Sequence, residues 1–329
     1  MRILVLGGTV FLGQAVAAEA LRRGHDVVCA ARGTSGDIPD GAKLVVADRE
    51  QGLGSLAGER FDAVVDVARN YRWVRDALDV LGATAGHWTF VSTINVYADN
   101  ETHGLSTDAE LLEPITDSDD ASTSESYGGI KVACENAVRA AVGDRAFVLR
   151  PGLITGPNDP SDRFGYWPAR MARGGRVLVP DTDHPTQHAD VRDLAAWIVD
   201  AGEQGLTGTF DGTSPTTPLN ELLAQIAELV APPGTELVAI APEDLTEAGV
   251  QPWAGPKSLP FWLPESHQGI AARNARPSLD AGLRIRPLAE TVSAALETER
   301  SLGLDRERRA GLTPEEEAEL LATLPHRTR

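Results

Sequence analysis

Cysteine is scarce in this sequence, and long apolar runs are missing from it. The two cysteines, Cys29 and Cys134, fall in a predicted strand and a predicted helix, without a Cys-x-x-Cys spacing. We expect both to be reduced, structural thiols of a cytoplasmic protein. No apolar run is long enough to span a bilayer, and the first predicted strand begins at residue 3, which leaves no room for a signal peptide. We therefore expect no membrane partner.

Positive charge is also in short supply. The chain carries 30 lysines and arginines against 48 aspartates and glutamates, which gives a formal net charge of −18 at pH 7. Nucleic-acid-binding proteins need clustered basic residues to neutralise phosphates, whereas these arginines are scattered among acids. We expect no nucleic-acid partner. Of the seven histidines only His184 and His188 are closely spaced, and Pro185 between them argues against a helical metal pair, so we predict no metal site.

A glycine-rich turn follows the first apolar strand. Residues 1–13 read MRILVLGGTVFLG, and apolar residues then recur with helical spacing as far as Gly24. A strand, a glycine turn and a helix in this order open a dinucleotide-binding unit, in which backbone N–H groups hold a diphosphate. Gly7 and Gly13 fit the first and third glycines of the fingerprint. Val10 replaces the second glycine, which normally lets the backbone approach the phosphates closely.

A second signal is the pair Tyr127 and Lys131. The chain has four tyrosines and only three lysines, so chance alone gives roughly 0.04 Tyr-x-x-x-Lys pairs. Residues four apart share one face of a helix. An ammonium group near a phenol stabilises the phenolate, which makes a tyrosine a usable proton donor or acceptor. The alternative is a surface Tyr and Lys on a solvated helix.

Five segments in this order resemble the extended short-chain dehydrogenase/reductase superfamily, of the NAD-dependent epimerase/dehydratase type. They are Gly7–Gly13, the Ser-Thr-x-x-Val-Tyr segment at 92–97, Tyr127 with Lys131, the Arg-Pro-Gly segment at 150–157, and Val-x-Asp at 191–193. The resemblance spans most of residues 1–290. Variants that lack the second glycine occur in an atypical branch, which also resembles chloroplast stem-loop-binding proteins.

The resemblance implies an α/β fold, with a Rossmann-type doubly wound parallel sheet and a smaller C-terminal substrate lobe. A chain of 329 residues with 42% hydrophobic content can bury the core that such a fold needs. We expect an NADP-binding domain from residues 1–150 plus about 187–212, and a substrate lobe from 151–186 and 213–302. Residues 303–329 would form a helical extension, in which Thr313 and Glu316 have the spacing of a capping box.

The resemblance also assigns roles to residues. Thr93 would hydrogen-bond the reacting oxygen, Tyr127 would give or take the proton, and Lys131 would assist Tyr127 and bind the nicotinamide ribose. The expected cofactor contacts are Gly7, Gly8, Thr9, Phe11, Leu12, Gly13, Arg32, Asp48, Arg49, Ala68, Arg69, Lys131, Pro151 and Leu153.

The end of the second predicted strand bears on the choice of cofactor. NAD-specific units usually place an Asp or Glu there, about 20 residues after the glycines, to accept the ribose hydroxyls. Here that place is taken by Ala31, and Arg32 follows. An arginine without the carboxylate suits a 2′-phosphate, so we predict NADP, with NAD as the alternative. Alternatively, Arg32 stacks on the adenine and serves either cofactor.

Four positions bear on the reaction. Related dehydratases carry Asp-Glu after the catalytic Thr, where this chain has Ile94 and Asn95, so dehydration by that route is disfavoured. Related epimerases hold a substrate nucleotide with an Asn and an Arg, where this chain has Leu153 and Thr186. We predict an oxidoreductase that acts on a carbonyl or alcohol of a compact, partly apolar small molecule, and a homodimer remains one option. The alternatives are an epimerase on a sugar-like substrate and a dinucleotide-bound regulator or RNA-associated scaffold.

Overall fold

A computed structural model describes residues 1–34, 36–118 and 120–325, together with the backbone of 327–328. The strands are β1 (Arg2–Leu6), β2 (Asp26–Ala31), β3 (Lys43–Val46), β4 (Ala63–Asp66), β5 (His87–Val91), β6 (Ala146–Pro151), β7 (Ile154–Thr155), β8 (Arg176–Pro180), β9 (Pro185–Thr186), β10 (Ala189–Asp190), β11 (Gly208–Gly212), β12 (Thr217–Pro218), β13 (Glu236–Ile240), β14 (Gln251–Pro252), β15 (Gly255–Pro256), β16 (Ser258–Leu259), β17 (Ala310–Gly311) and β18 (Arg327–Thr328). The helices are α1 (Phe11–Arg22), α2 (Tyr71–Leu81), α3 (Ser124–Val142), α4 (Arg163–Ala172), α5 (Val191–Gln204), α6 (Leu219–Val230), α7 (Pro242–Glu247), α8 (Arg276–Asp280), α9 (Leu288–Leu302) and α10 (Pro314–Thr323). None of the α-helices in this part of the chain has the length and apolar character needed to cross a bilayer.

The centre of the molecule is a seven-stranded parallel sheet in the order β11-β6-β5-β4-β1-β2-β3. Successive apolar residues of its strands point to opposite faces. In β1, Leu4 and Leu6 join a core with α2 and α3, whereas Ile3 and Val5 join a core with α1 and α5. Helices therefore cover both faces. The prediction of a Rossmann-type doubly wound sheet is confirmed, including the strand near Thr209 that pairs with β6.

A further core lies in the C-terminal half, between α4, α6, α9 and α10 and the sheet β8-β13-β18. Most aromatic residues of this half belong to that core. Phe164, Tyr166, Trp167 and Trp262 are buried in it, and Trp253 packs on it while partly exposed. The predicted bounds of the two parts of the chain stay a prediction.

The described part of the 303–329 segment packs into this second core. Thr313 begins α10 with the predicted capping box, in which its side chain accepts from the N–H of Glu316. Leu320 is buried in the core, and the buried carboxylate of Glu317 accepts from the Arg170 Nε at 2.5 Å. Residues 326 and 329 of the predicted extension lie outside the described residues.

Candidate active site

The glycine turn between β1 and α1 has little room for any other residue at positions 7, 8 and 13. Gly7 has a φ of +99°, in the region that favours glycine. A Cβ atom on Gly13 would lie 2.2 Å from the carbonyl oxygen of Gly7, and one on Gly8 would lie 2.5 Å from the Cys29 Sγ. Val10 stands at the start of α1 with its side chain 48% exposed. The first and third glycines of the fingerprint thus lie in close contact, and the binding of a diphosphate by this turn stays a prediction.

The residues expected near the adenosine end follow β2 and β3. Arg32 is exposed directly after β2, and Asp48 follows β3, where one of its carboxylate oxygens accepts from the N–H of Glu50 at 3.0 Å. Arg49 is engaged within the protein. Its guanidinium donates to both carboxylate oxygens of Asp66 at 3.2 and 3.3 Å and to the carbonyl of Trp73. Its predicted contact with the cofactor stays a prediction.

Thr93 and Tyr127 reach the same edge of the sheet from different elements. Thr93 follows β5, and its hydroxyl oxygen accepts from the N–H of Asn95 at 3.2 Å while the hydroxyl donates to the Asn95 Oδ1 at 3.0 Å. Tyr127 lies in the first turn of α3, half-buried. The next residue, Gly128, rests on the turn after Thr93, because a Cβ there would lie 2.1 Å from the Asn95 carbonyl oxygen. A glycine at 128 therefore lets the tyrosine helix contact the turn that holds Thr93.

Lys131 lies one turn further along α3, with 1% of its surface exposed. Its ammonium donates to the carbonyl of Ala68 at 2.8 Å and to the carbonyl of Val91, and it lies 4.3 Å from the centre of the Phe90 ring. The lysine thus ties the ends of β4 and β5 together beneath the site. Its predicted contacts with Tyr127 and the ribose stay predictions.

Arg69 has a position that its expected role did not include. It is exposed after β4, and its guanidinium carbon lies 5.4 Å from the centre of the Tyr127 ring. On the other side of the site, Pro151 ends β6 and Leu153 follows it, both buried. The remaining expected cofactor contacts, Thr9, Phe11 and Leu12, lie in the glycine turn and at the start of α1.

A buried charge network lies directly behind the site. Ser92, next to Thr93, donates to the Glu135 Oε1 at 2.5 Å, and Arg150 holds both oxygens of that carboxylate at 2.9 and 2.7 Å. Burial alone would raise the pKa of Glu135, but the hydrogen bonds from Arg150 and Ser92 and the nearby positive charges outweigh it, so that the pKa is lowered.

The buried charge network continues into the C-terminal half. Arg150 also donates to the Tyr97 hydroxyl at 2.9 Å, which itself donates to the Asp211 Oδ1 at 2.6 Å. Arg273, from the second half of the chain, donates to the other oxygen of Asp211 at 3.4 Å. Burial raises the pKa of Asp211 despite these contacts. The network thus comprises Ser92, Tyr97, Glu135, Arg150, Asp211 and Arg273, and sequence reasoning missed all but the Arg-Pro-Gly arginine and the Ser and Tyr of the 92–97 segment.

The comparisons with known proteins agree with this geometry. The NAD dependent epimerase/dehydratase family matches residues 3–209. The 2′-dehydrokanamycin reductase of Streptomyces kanamyceticus is 30% identical over 192 residues, which cover 55% of this chain and 52% of that protein. The match thus spans about half the length of this curated relative. These findings confirm the resemblance that the five segments indicated.

Solved structures share the fold over nearly their whole length. The Bordetella bronchiseptica enzyme WbmH in complex with NAD+ is 20% identical with a TM-score of 0.65, covering 92% of this chain and 99% of that chain. The UDP-N-acetylglucosamine 4-epimerase of Bacillus cereus is 18% identical with a TM-score of 0.62, with the same coverages. At these identities the likeness extends to the fold alone. The family match and the curated relative together indicate an NAD(P)-dependent enzyme of the oxidoreductase or epimerase type, as the sequence predicted.

Proposed function

The chain belongs to the NAD dependent epimerase/dehydratase family, and from that premise we propose that it is an NADP(H)-dependent oxidoreductase of carbonyl or alcohol groups on a small molecule. The observation that carries the proposal is the close contact of Gly128 with Asn95, which brings the helix of Tyr127 onto the turn of Thr93. The similarity to a protein named as a reductase supports the direction of the chemistry.

The glycine turn would bind the cofactor, and Thr93 and Tyr127 would act on the substrate. Gly7, Gly8 and Gly13 would hold the dinucleotide, because only glycines fit the close contacts of this turn. When bound, the nicotinamide supplies or accepts the hydride. In reduction, Thr93 would donate a hydrogen bond to the substrate oxygen and Tyr127 would deliver the proton to it. In oxidation, Tyr127 would take that proton.

Asn95 and Lys131 support this chemistry from behind. The N–H of Asn95 fixes the Thr93 oxygen, so that exchanging the Asn95 Oδ1 for a substrate oxygen needs only a rotation of the hydroxyl proton. Lys131 fixes the two strand ends and places a positive charge below the site. A fixed charge there favours the phenolate that forms when Tyr127 gives up its proton.

Arg32 supports the choice of NADP(H). It follows β2 at the place where NAD-specific units carry a carboxylate, and Ala31 offers no carboxylate in its stead. Arg32 is an exposed residue, and the planar guanidinium of an arginine suits the geometry of a 2′-phosphate. The description of the family as NAD dependent keeps NAD as the alternative.

Two buried residues give no support to a nucleotide-sugar substrate. Leu153 has no polar group to offer, and the Thr186 hydroxyl already donates to the carbonyl of Thr217 at 2.7 Å. The two places where related epimerases anchor a substrate nucleotide are therefore both occupied by residues unsuited to it. Activity assays would distinguish the proposed oxidoreductase from an epimerase on a sugar without a nucleotide and from a regulator without turnover.

The test is a screen of small aldehydes, ketones and alcohols for oxidation of NADPH or reduction of NADP+ by the purified protein. Turnover of any of them that is lost in Tyr127→Phe would support the proposal. Binding of NADPH without turnover of any compound would overturn it in favour of a regulator, and scrambling of a stereocentre without net consumption of cofactor would favour an epimerase.

A further inference from the structure

Resting on the proposed function, the geometry points to a substrate that carries a carboxylate. We propose that Arg69 and Arg163 form an anion subsite, which holds a carboxylate of the substrate while its carbonyl group faces Thr93 and Tyr127. The preferred substrates would then be small oxo acids or the corresponding hydroxy acids.

The topology brings both arginines to the edge of the sheet that carries the site. Arg69 lies three residues after β4, and Arg163 begins α4, which the chain reaches from the end of β6. These strands flank β5, whose end carries Thr93, in the order β6-β5-β4. Because the carboxyl ends of parallel strands meet at one edge, Arg69 starts from the same edge as the proton donor, and the chain leaves that edge to reach Arg163 through β7 and a loop.

Each guanidinium lies against an aromatic ring. Arg69 lies over Tyr127 at 5.4 Å, and Arg163 lies 4.9 Å from the centre of the Trp253 ring. Trp253 is held in a left-handed backbone conformation and packs on Phe261 at 6.3 Å, which belongs to the core of the lobe. An aromatic ring fixes the plane of a guanidinium and leaves its in-plane N–H groups available for a carboxylate.

The carboxylates nearest to Arg163 along the chain are engaged elsewhere. Asp159 accepts from the N–H and the hydroxyl of Ser161, both at 2.9 Å, and Asp162 accepts from Arg306 and from the N–H of Arg309. Across residues 1–34, 36–118 and 120–325, no carboxylate lies within ion-pair distance of Arg69 or Arg163.

The positive charges of the two arginines also interact. Burial lowers the pKa of Arg163, and the positive charge of Arg69 lowers it further, while Asp159 acts in the opposite direction. The like charges of Arg69 and Arg163 repel each other, and an anion bound by both would relieve that repulsion. A planar carboxylate can accept bidentate hydrogen bonds from such planar guanidinium groups.

The test measures binding, so that it does not depend on turnover. Benzoylformate and its neutral isostere benzoylformamide are titrated by calorimetry into the protein loaded with NADP+. The unchanged protein should bind the acid at least tenfold more tightly than the amide. Arg163→Gln and Arg69→Gln should each weaken binding of the acid at least tenfold and leave the amide unaffected, and Arg163→Lys should fall between.

The matched control is Arg75→Gln, because Arg75 also lies over a tyrosine, Tyr71 at 6.0 Å, but on α2. It should bind the acid as the unchanged protein does. Equal affinity for acid and amide would overturn the subsite. So would a loss of NADP+ affinity in Arg69→Gln with no effect of Arg163→Gln, since Arg69 would then serve the cofactor. Tight binding of the acid without any turnover of it with NADPH would instead count against the proposed function.

Discussion

Arginines lie against aromatic rings at several places in this molecule, and two of these regions differ in whether carboxylates pair with the arginines. In the buried charge network, Arg150 and Arg273 lie 4.9 and 3.5 Å from the Tyr97 ring and pair with Glu135 and Asp211. At the anion subsite, Arg69 and Arg163 have the same kind of ring contact without such a pair.

This difference indicates that the paired arginines stabilise the fold, whereas the arginines without a carboxylate partner among the described residues are available to a ligand. A buried charge must be matched inside the protein, because an unpaired one destabilises the folded state strongly. The network therefore holds β5, α3, β6 and the C-terminal half in one arrangement around the site. A charge that stays partly exposed, as at Arg69 and Arg163, can instead be matched by a ligand.

The largest effect is expected from removing the hydroxyl of Tyr127. Tyr127→Phe keeps the ring beneath Arg69 and removes only the proton donor, so turnover should fall by about 10²–10⁴ while cofactor affinity and stability are preserved. The measurement is the steady-state rate of NADPH oxidation with a ketone found in the screen. The counterpart in the network, Tyr97→Phe, should lower stability with little change in turnover per folded molecule. Full activity of Tyr127→Phe would mean that the proton comes from elsewhere.

Breaking the buried charge network should have an effect of nearly the same size, but on the stability of the fold rather than on turnover. Glu135→Gln leaves Arg150 buried beside a neutral amide, which should lower the free energy of unfolding by about 3–5 kcal/mol. Urea denaturation followed by circular dichroism would measure it. Glu125→Gln is the matched control, since Glu125 is exposed on the same helix. An unchanged unfolding midpoint for Glu135→Gln would show that the pair with Arg150 is dispensable.

The two regions also differ in how far the sequence could predict them. The glycine turn and the Tyr127–Lys131 pair are local signals, because each depends on residues a few positions apart. Glu135 lies four residues after Lys131 and could have been found on the same helix face. Asp211 and Arg273 lie far apart in the chain and meet only through the fold. No periodic pattern in the sequence predicts the contact between these two residues.

Arg163 was missed for a different reason. In the sequence it stands beside Asp162 and close to Asp159, so the segment reads as a solvated stretch with mixed charge. Only the structure shows that both acids are engaged with Ser161, Arg306 and Arg309, which leaves Arg163 without an ion pair in the described part of the chain. Whether a charged side chain has a partner of opposite charge thus depends on hydrogen-bond geometry, which the spacing of residues along the chain does not show.

A smaller effect, on cofactor affinity, is expected at Arg32, which follows β2. Arg32→Ala should weaken NADPH binding at least tenfold, because a charge-assisted contact with the 2′-phosphate contributes about 1.5–3 kcal/mol. NADH lacks that phosphate and serves as the internal control, so its affinity should hardly change. Fluorescence titration with both cofactors would measure this. Equal affinity of the unchanged protein for NADPH and NADH would contradict the assignment.

The smallest effect should come from the arginine that lacks a carboxylate. Arg163→Gln removes a ring contact with Trp253 but also removes the repulsion from Arg69, so the free energy of unfolding without ligand should change by no more than about 1 kcal/mol. Urea denaturation of the ligand-free protein would measure it, beside Arg150→Gln, which should lose several times more because buried Glu135 then keeps only Ser92 and the part-exposed Arg139 as partners. Addition of benzoylformate should then raise the unfolding midpoint of the unchanged protein but not that of Arg163→Gln, because a ligand stabilises only the state that binds it. A large loss of stability in ligand-free Arg163→Gln would mean that this arginine belongs to the framework, as Arg150 does, and the contrast between the two regions would disappear.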